Sequence, residues 1–332
     1  MNRPETIPPD INPAAGIVSA YRFDPDGKAE ILAADAVDKA IAAGDDWFWI
    51  HLSRADTRCR NWVEHHAPLS EIVREILLND EDHQRLEVYG REIVGVIPDL
   101  QLEFDNPTED LGRLRFAMTG RLLVTMRRVP LRSIENVRRS IAAGTLYGAP
   151  VELLDAVIDH FGNVITQLSE RVGSELDQAE ERMWHGASGD ESMRIARSRN
   201  QAVRVHRQLS QLRALFHRLE QRVAVPLPDL AAPIQALAQK IDAFENSVAA
   251  IHDRARMLQE EMAARMADIT NRRLLTLSVL TATFLPPTLV TGFFGMNTKD
   301  MPFQTTDGGT WFALMVAIAA GAFTYWTVSR LR

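Results

Sequence analysis

Six hydroxyl side chains lie in one uncharged stretch near the C-terminus, at Thr276, Ser278, Thr281, Thr283, Thr288 and Thr291. The stretch, residues 274–294, also holds Pro286-Pro287 and Gly292, and it runs into Gly295-Met296-Asn297. Asn271, Leu274, Ser278, Thr281, Leu285, Thr288 and Gly292 recur at steps of three and four, so on a helix they share one face. A face that alternates small polar with apolar residues suits the wall of an aqueous path. It equally suits close helix packing, where small and hydroxyl residues are favoured. Thr276 and Thr283 fall on the other side, so hydroxyls alone do not mark a lumen.

Such a face needs a helix and a setting. Residues 274–294 and 310–328 carry no charge, and each run is long enough to cross a hydrocarbon core of about 30 Å. The pattern predicts two transmembrane helices over those ranges, a loop over 295–309 and a short tail over 329–332. Arg272 and Arg273 precede the first span, Arg330 and Arg332 follow the second, and the loop carries Lys299 against Asp300 and Asp307. The positive-inside rule then puts both termini in the cytoplasm and the loop on the periplasmic side of an inner membrane. The start of the chain, MNRPETIPPD, has no apolar core of a signal peptide, so the first ~270 residues are expected to stay cytoplasmic. Upstream of the spans, Ile234, Leu237, Ile241, Phe244, Val248, Ile251, Ala255, Leu258 and Met262 form a heptad seam. No Pro or Gly interrupts Ile234 to Leu285. A helix from Ile234 to Phe294 would be roughly 90 Å long, which fits a stalk over 233–273. Two spans cannot enclose a path, so several copies are required, and the seam is the expected means of assembly.

The rest of the chain reads as soluble. Residues 1–15 are Pro-rich and expected to form a loose tail. Residues 16–150 alternate strand and helix patterns: strands at Ile17–Phe23 and Trp47–Leu52, helices at Ala34–Ala43, Leu69–Asn79 (Ile72, Ile76 and Leu77 on one face) and Ser133–Ala143. Two hairpins are expected, around Gly90-Arg91 and Thr119-Gly120. This is an α+β domain with a mixed sheet. Residues 151–232 are helical, with a break at His185–Gly189. The single cysteine, Cys59, excludes an intrachain disulfide. A net charge of −7 argues against nucleic acid as a partner. No Walker A, GxSxG, HExxH or Rossmann fingerprint is present, so an enzyme is not expected.

Pro286-Pro287-Thr288, Gly292 and Gly295-Met296-Asn297, at the outer end of the first of two C-terminal spans, resemble the CorA superfamily of divalent-cation transporters, the two-span GxN family. Trp49-Ile50-His51-Leu52, the hairpin Leu114–Arg127 and the order of α/β domain before helices are similar to its ZntB branch of bacterial zinc transporters. The resemblance covers most of the chain after residue 15. It implies a homopentamer with a funnel-shaped cytoplasmic domain, first spans lining the pore and GxN loops at its outer mouth. On that reading Gly295, Met296 and Asn297 form the filter, with Asn297 presenting its side-chain carbonyl to a hydrated cation. Asn271, Leu274, Ser278, Thr281, Leu285, Thr288 and Gly292 would face the lumen.

The chemistry is sound on its own terms. Mg²⁺ holds its waters tightly, and neutral amide oxygens accept hydrogen bonds from those waters without stripping them. Asp300 and Asp307, repeated around a pentamer, would concentrate cations by electrostatic focusing. Rings of Leu274 and Leu285 would gate by dewetting. Two features depart from the resemblance: Met296 is the middle residue of magnesium-type members, and the tail carries only Arg330 and Arg332.

No cofactor is expected beyond the transported divalent cation, Zn²⁺ or Mg²⁺. Zinc prefers His nitrogen and Cys sulfur, and spans and loop hold neither. Zinc is favoured on the soluble domain, with CorA-type Mg²⁺, Co²⁺ or Ni²⁺ conduction as the alternative. Proton coupling is an implication of the ZntB branch, yet the spans hold no Asp, Glu or His. Asp80, Asp82 and His83 are a candidate regulatory metal site, against the plainer reading of a solvated helix end. Glu175, Asp177, Glu180 and Glu181 make an acidic helix face, and His206 and His217 lie on similar faces of their helix. A more distant alternative is a membrane-anchored coiled-coil sensor or scaffold, which would need neither the polar stripe nor the Gly-Met-Asn loop. The expected partners are further copies of the chain and membrane lipid.

Overall fold

A computed structural model describes residues 16–44, 46–102, 111–184, 190–296 and 308–330. The chain divides into two units, residues 1–256 and 257–332.

The first unit opens with β1 (Ile17–Phe23), β2 (Ala29–Ile31), α1 (Val37–Ala43), β3 (Trp47–Ser53), α2 (Arg58–His65) and α3 (Glu71–Leu78). It continues with β4 (Arg85–Tyr89), β5 (Glu92–Leu100), β6 (Leu111–Met118), β7 (Leu122–Arg127) and α4 (Arg132–Ala142). The strands form one seven-stranded sheet in the order β2-β1-β3-β7-β6-β5-β4. Only the β3–β7 pair is parallel, so the sheet is mixed, as expected. β3 is buried from Trp47 to Leu52, as a strand covered on both faces must be. Its side chains alternate between the faces. Phe48, Ile50 and Leu52 join the core with Trp62, Val63, Val73 and Leu77 from α2 and α3. On the other face Trp47 stacks on Phe23, ring centroids 3.8 Å apart, and Trp49 stacks on Tyr21 at 5.3 Å.

Two elements escaped the sequence pattern. β2 is three residues long, and it follows a turn in which Gly27 takes a left-handed φ of 81°. A side chain there would press on the Tyr147 backbone at 2.9 Å. α2 buries only Cys59, Trp62 and Val63, too few to show a period. On α3 the inward residues are Val73, Ile76, Leu77 and Leu78, whereas Ile72 is exposed, contrary to the expected face.

Three long helices follow: α5 (Pro150–Trp184), α6 (Asp190–Val223) and α7 (Pro228–Phe294). α7 starts earlier than the anticipated stalk, with Pro228 at its first position, where no amide hydrogen is needed. Its seam is where the structure departs most from expectation. Ile234, Leu237, Ile241, Val248 and Ala255 are buried inside the single chain. α5 comes so close that a Cβ on Gly162 would meet the Phe244 ring at 1.8 Å. Lys240 of α7 bonds Asp155 and Asp159 of α5, and Arg213 of α6 bonds Asp242 of α7 at 2.8 Å. The heptad seam is therefore consumed by the chain's own α5 and α6, and it is not the surface that joins copies.

In the second unit α8 (Gly309–Arg330) packs on the last part of α7. Ala313, Ala317 and Gly321, four apart, are the buried residues of α8. A Cβ on Gly321 would lie 3.0 Å from Pro287 Cγ and 3.5 Å from the Thr283 carbonyl oxygen. This is the small-residue contact by which membrane helices approach closely. Both helices are long and apolar enough to span a bilayer.

Candidate functional site

Val279, Ala282, Thr283, Pro286, Pro287, Val290 and Phe294 are the half-buried residues of the α7 span. At 100° per residue they make one side of the helix, the side that meets α8. The predicted stripe lies on the opposite side. Asn271, Leu274, Ser278, Thr281, Leu285, Thr288 and Gly292 are all exposed. Packing against α8 is thus carried by other residues, and among the described residues the stripe has no partner in its own chain. Thr281, Leu285, Thr288, Gly292 and Met296 line one groove along it, together with the apolar Phe284, Leu289 and Phe293.

The threonine hydroxyls on the stripe have a defined polarity. Thr281 donates to the Leu277 carbonyl at 2.9 Å, and Thr288 donates to the Phe284 carbonyl at 2.8 Å. Each hydroxyl has one hydrogen, so towards the groove these groups can only accept. An acceptor suits a water whose hydrogens point away from a bound cation. At the top of the helix, Gly295 donates to the Thr291 carbonyl at 2.9 Å and Met296 donates to Phe293 at 3.3 Å. A Cβ on Gly295 would sit 3.0 Å from the Thr291 oxygen, which explains a glycine at this close turn. Asn297, Asp300 and Asp307 lie outside the described residues.

The candidate regulatory site is not assembled. No group of three or more His, Cys, Asp or Glu side chains gathers to hold a metal among the described residues. The reason is that arginines claim the carboxylates. Asp80 pairs with Arg54 at 2.6 Å, and Asp82 pairs with Arg115, a buried side chain, at 3.1 Å. The acidic face of α5 is also used structurally: Glu175 accepts from Ser198 at 2.7 Å, and Arg254 binds Asp177 and Glu180. His206 stacks on His252 and approaches Glu245 at 3.4 Å, while His217 meets Asp242 at 2.9 Å. These are contacts between α6 and α7.

Two buried polar groups in the sheet were not singled out as chemistry. The hydroxyl of Thr125 receives Trp49 Nε1–H at 2.8 Å and lies 2.8 Å from His51 Nδ1. Arg127 donates Nε–H to His51 Nε2 at 3.0 Å, so the ring is neutral with its hydrogen on Nδ1. Burial, with Arg127 and Arg138 nearby, holds the His51 imidazole well below its usual range. Asp99, near the end of β5, accepts from Ser133 Oγ at 2.7 Å, while its Oδ2 meets no partner. Burial raises this carboxyl to about 7, against the opposing hydrogen bonds from Ser133 and Leu100. A strand residue of alternating pattern gave no sign of either; cross-strand proximity of Thr125 to the Trp49–His51 run is visible only once β3 and β7 pair.

The chain thus joins a sheet-and-helix unit to two packed helices, each long and apolar enough to span a bilayer and the first carrying an outward polar stripe. The family described as CorA-like Mg2+ transporter protein matches residues 44–330, and the chain belongs to it. The zinc transport protein ZntB of Yersinia pseudotuberculosis is 26% identical over 319 residues, covering 93% of this chain and 94% of that protein. The divalent cation transporter CmaX of Pseudomonas aeruginosa is 24% identical, covering 96% of each. The solved structure of full-length CmaX overlays with a TM-score of 0.78 at 22% identity, over 97% of this chain and 99% of that one. The resemblance to the CorA superfamily, with its ZntB-like branch, is borne out, and the chain is a CorA-family divalent-cation transporter.

Proposed function

We propose that the chain forms a homopentameric pore in the inner membrane, with both termini cytoplasmic, and conducts Zn²⁺. The observation that carries this reading is the stripe on α7: it is exposed, opposite to the α8 contact, and fitted with hydroxyls that can only accept. In an assembly the stripes of several copies face one another and line a path for a hydrated cation. Asn271 stands at the cytoplasmic end, Ser278, Thr281 and Thr288 supply oxygen along the way, and Leu274 and Leu285 narrow it. Gly295, Met296 and Asn297 form the outer filter, and Asp300 and Asp307 draw cations towards it.

Zinc is supported by the ZntB relatives at 26% identity. The second reading, Mg²⁺ with Co²⁺ or Ni²⁺, is favoured by Met296. A path of neutral oxygens without thiolate or imidazole passes an ion with its waters on, which fits either cation. If proton coupling operates, its carriers are expected in the loop or the soluble domain, because the spans hold no Asp, Glu or His. Reconstitution in liposomes with Zn²⁺ and Mg²⁺ separately, at several pH gradients, tests each part. Zinc flux exceeding magnesium flux and growing with the proton gradient supports the full reading. Magnesium flux in excess moves the chain to the second reading, and flux indifferent to pH removes the coupling.

A further inference from the structure

The sheet has one parallel pair, β3 with β7, and the carboxyl ends of these strands lie side by side. The last partners in register are Ser53 and Arg127, and the Arg54 amide then donates to the Arg127 carbonyl at 2.8 Å. The next residues, Arg54 and Arg128, therefore leave at the same level from strands about 4.8 Å apart. From here the chain departs to opposite faces of the sheet. After β3 it runs into α2, which packs with α3 on Phe48, Ile50 and Leu52. After β7 it runs into α4, whose Arg138 bonds Tyr21, and Tyr21 stacks on Trp49 of the other face. Connections that part in this way open a crevice beyond the strand ends, the place where sheets with helices on both faces take ligands. A cavity of about 510 Å³ lies there, lined by Arg54, Ala55, Asp80 and Arg128.

The lining suits an anion. The Arg54 side chain is only 13% exposed. Its guanidinium is fixed by the carbonyls that end α3, at 3.2 Å from Asn79 and 3.5 Å from Leu78. Arg128 is exposed and makes no ion pair among the described residues. Two guanidinium groups at one cavity repel a metal cation and fit a phosphate, whose oxygens accept from an arginine two at a time. One carboxylate already takes such a position. Asp80 accepts from Arg54 Nη2 at 2.6 Å, yet its own side chain is 91% exposed. A pair so open to water is weak and readily exchanged. Asp80 thus marks a place for an anionic oxygen and holds it lightly.

We propose that this crevice binds a phosphate group between Arg54 and Arg128, and that Asp80 swings out to admit it. Phosphate displaces the carboxylate because it carries more charge and meets both arginines, whereas Asp80 pairs with Arg54 alone among the described residues. The cavity is roomier than a phosphate, so it takes the group as the free anion or as the end of a small ester. The site lies wholly within the first unit, and its occupancy does not depend on the transport reading.

Isothermal titration of the purified full chain in detergent, at fixed ionic strength, tests this with inorganic phosphate and AMP as probes. Saturable binding is expected. Tighter binding of AMP assigns the site to an ester, and equal binding assigns it to the free anion. Arg128→Gln is expected to weaken binding by about tenfold or more, the worth of a charge-assisted contact. Asp80→Asn removes the competitor and should tighten binding several-fold. Arg54 is left in place because it also caps α3. Two controls address diffuse charge: Arg91→Gln, on the turn between β4 and β5, and Glu81→Gln, whose side chain pairs with Arg85. Both should leave the affinities unchanged. Binding of neither probe to the parent or to Asp80→Asn overturns the proposal. So does an unchanged affinity in Arg128→Gln, weaker binding in Asp80→Asn, or an equal loss in Arg91→Gln.

Discussion

Asp99 and Thr288 show how single groups set behaviour. Asp99 has a folded-state pKa of about 7 against an ordinary 3.8, so the folded chain holds its proton where the unfolded chain has lost it. Its contribution to stability is complete below the unfolded value and is lost as pH rises towards 7. Three units at 1.36 kcal/mol each amount to something on the order of 4 kcal/mol. Asp99→Asn keeps the acceptor for Ser133 and cannot ionise. Thermal melts between pH 5 and 9 should show the variant gaining on the parent as pH rises; parallel curves would show that Asp99 does not titrate. His51 works the other way. Its folded pKa lies below 6.5, so its contribution is present above 6.5 and lost as pH falls. His51→Gln is expected to flatten the acid limb of the same melts. On the stripe, Thr288→Val preserves shape and removes the acceptor. Cation flux should fall several-fold with the melting temperature unchanged, and an unaltered flux would place Thr288 outside the path.

Between elements, the α7–α8 contact depends on Gly321. Its missing side chain leaves only 3.0 Å to Pro287, so Gly321→Leu overpacks the pair by about 1–3 kcal/mol. A lowered melting temperature in detergent checks this, and Gly292→Leu, on the open stripe, should leave the melt unmoved. The same contrast shows what could be read from the sequence. The two spans, β3 and both hairpins were legible because their apolar patterns are long or uninterrupted. α2 was not, since three buried residues in a charged octapeptide carry no period. The heptad seam of α7 was legible as a seam, but its partner was not: a buried face is the same pattern whether α5 or another copy covers it. The stripe was legible for the converse reason, because its small and hydroxyl residues mark a face without saying what it meets. Asp80 and Asp82 misled because Arg54 and Arg115, distant in sequence, reach them only after folding.

At the scale of the whole molecule, one chain presents three surfaces with different fates. The seam of α7 is spent on its own α5 and α6. The small face of α8 is spent on the first span. The stripe of the first span is left over among the described residues. On the proposed reading the path closes only when stripes of several copies come together, so conduction and assembly are expected to stand or fall as one property. The most direct measurement is divalent-cation uptake into liposomes holding the purified full chain, with the Asn297→Ala variant beside it. The account predicts zinc uptake that rises with protein density and drops at least several-fold in the variant. Uptake of no divalent cation by the parent, or equal uptake and selectivity in the variant, would contradict it.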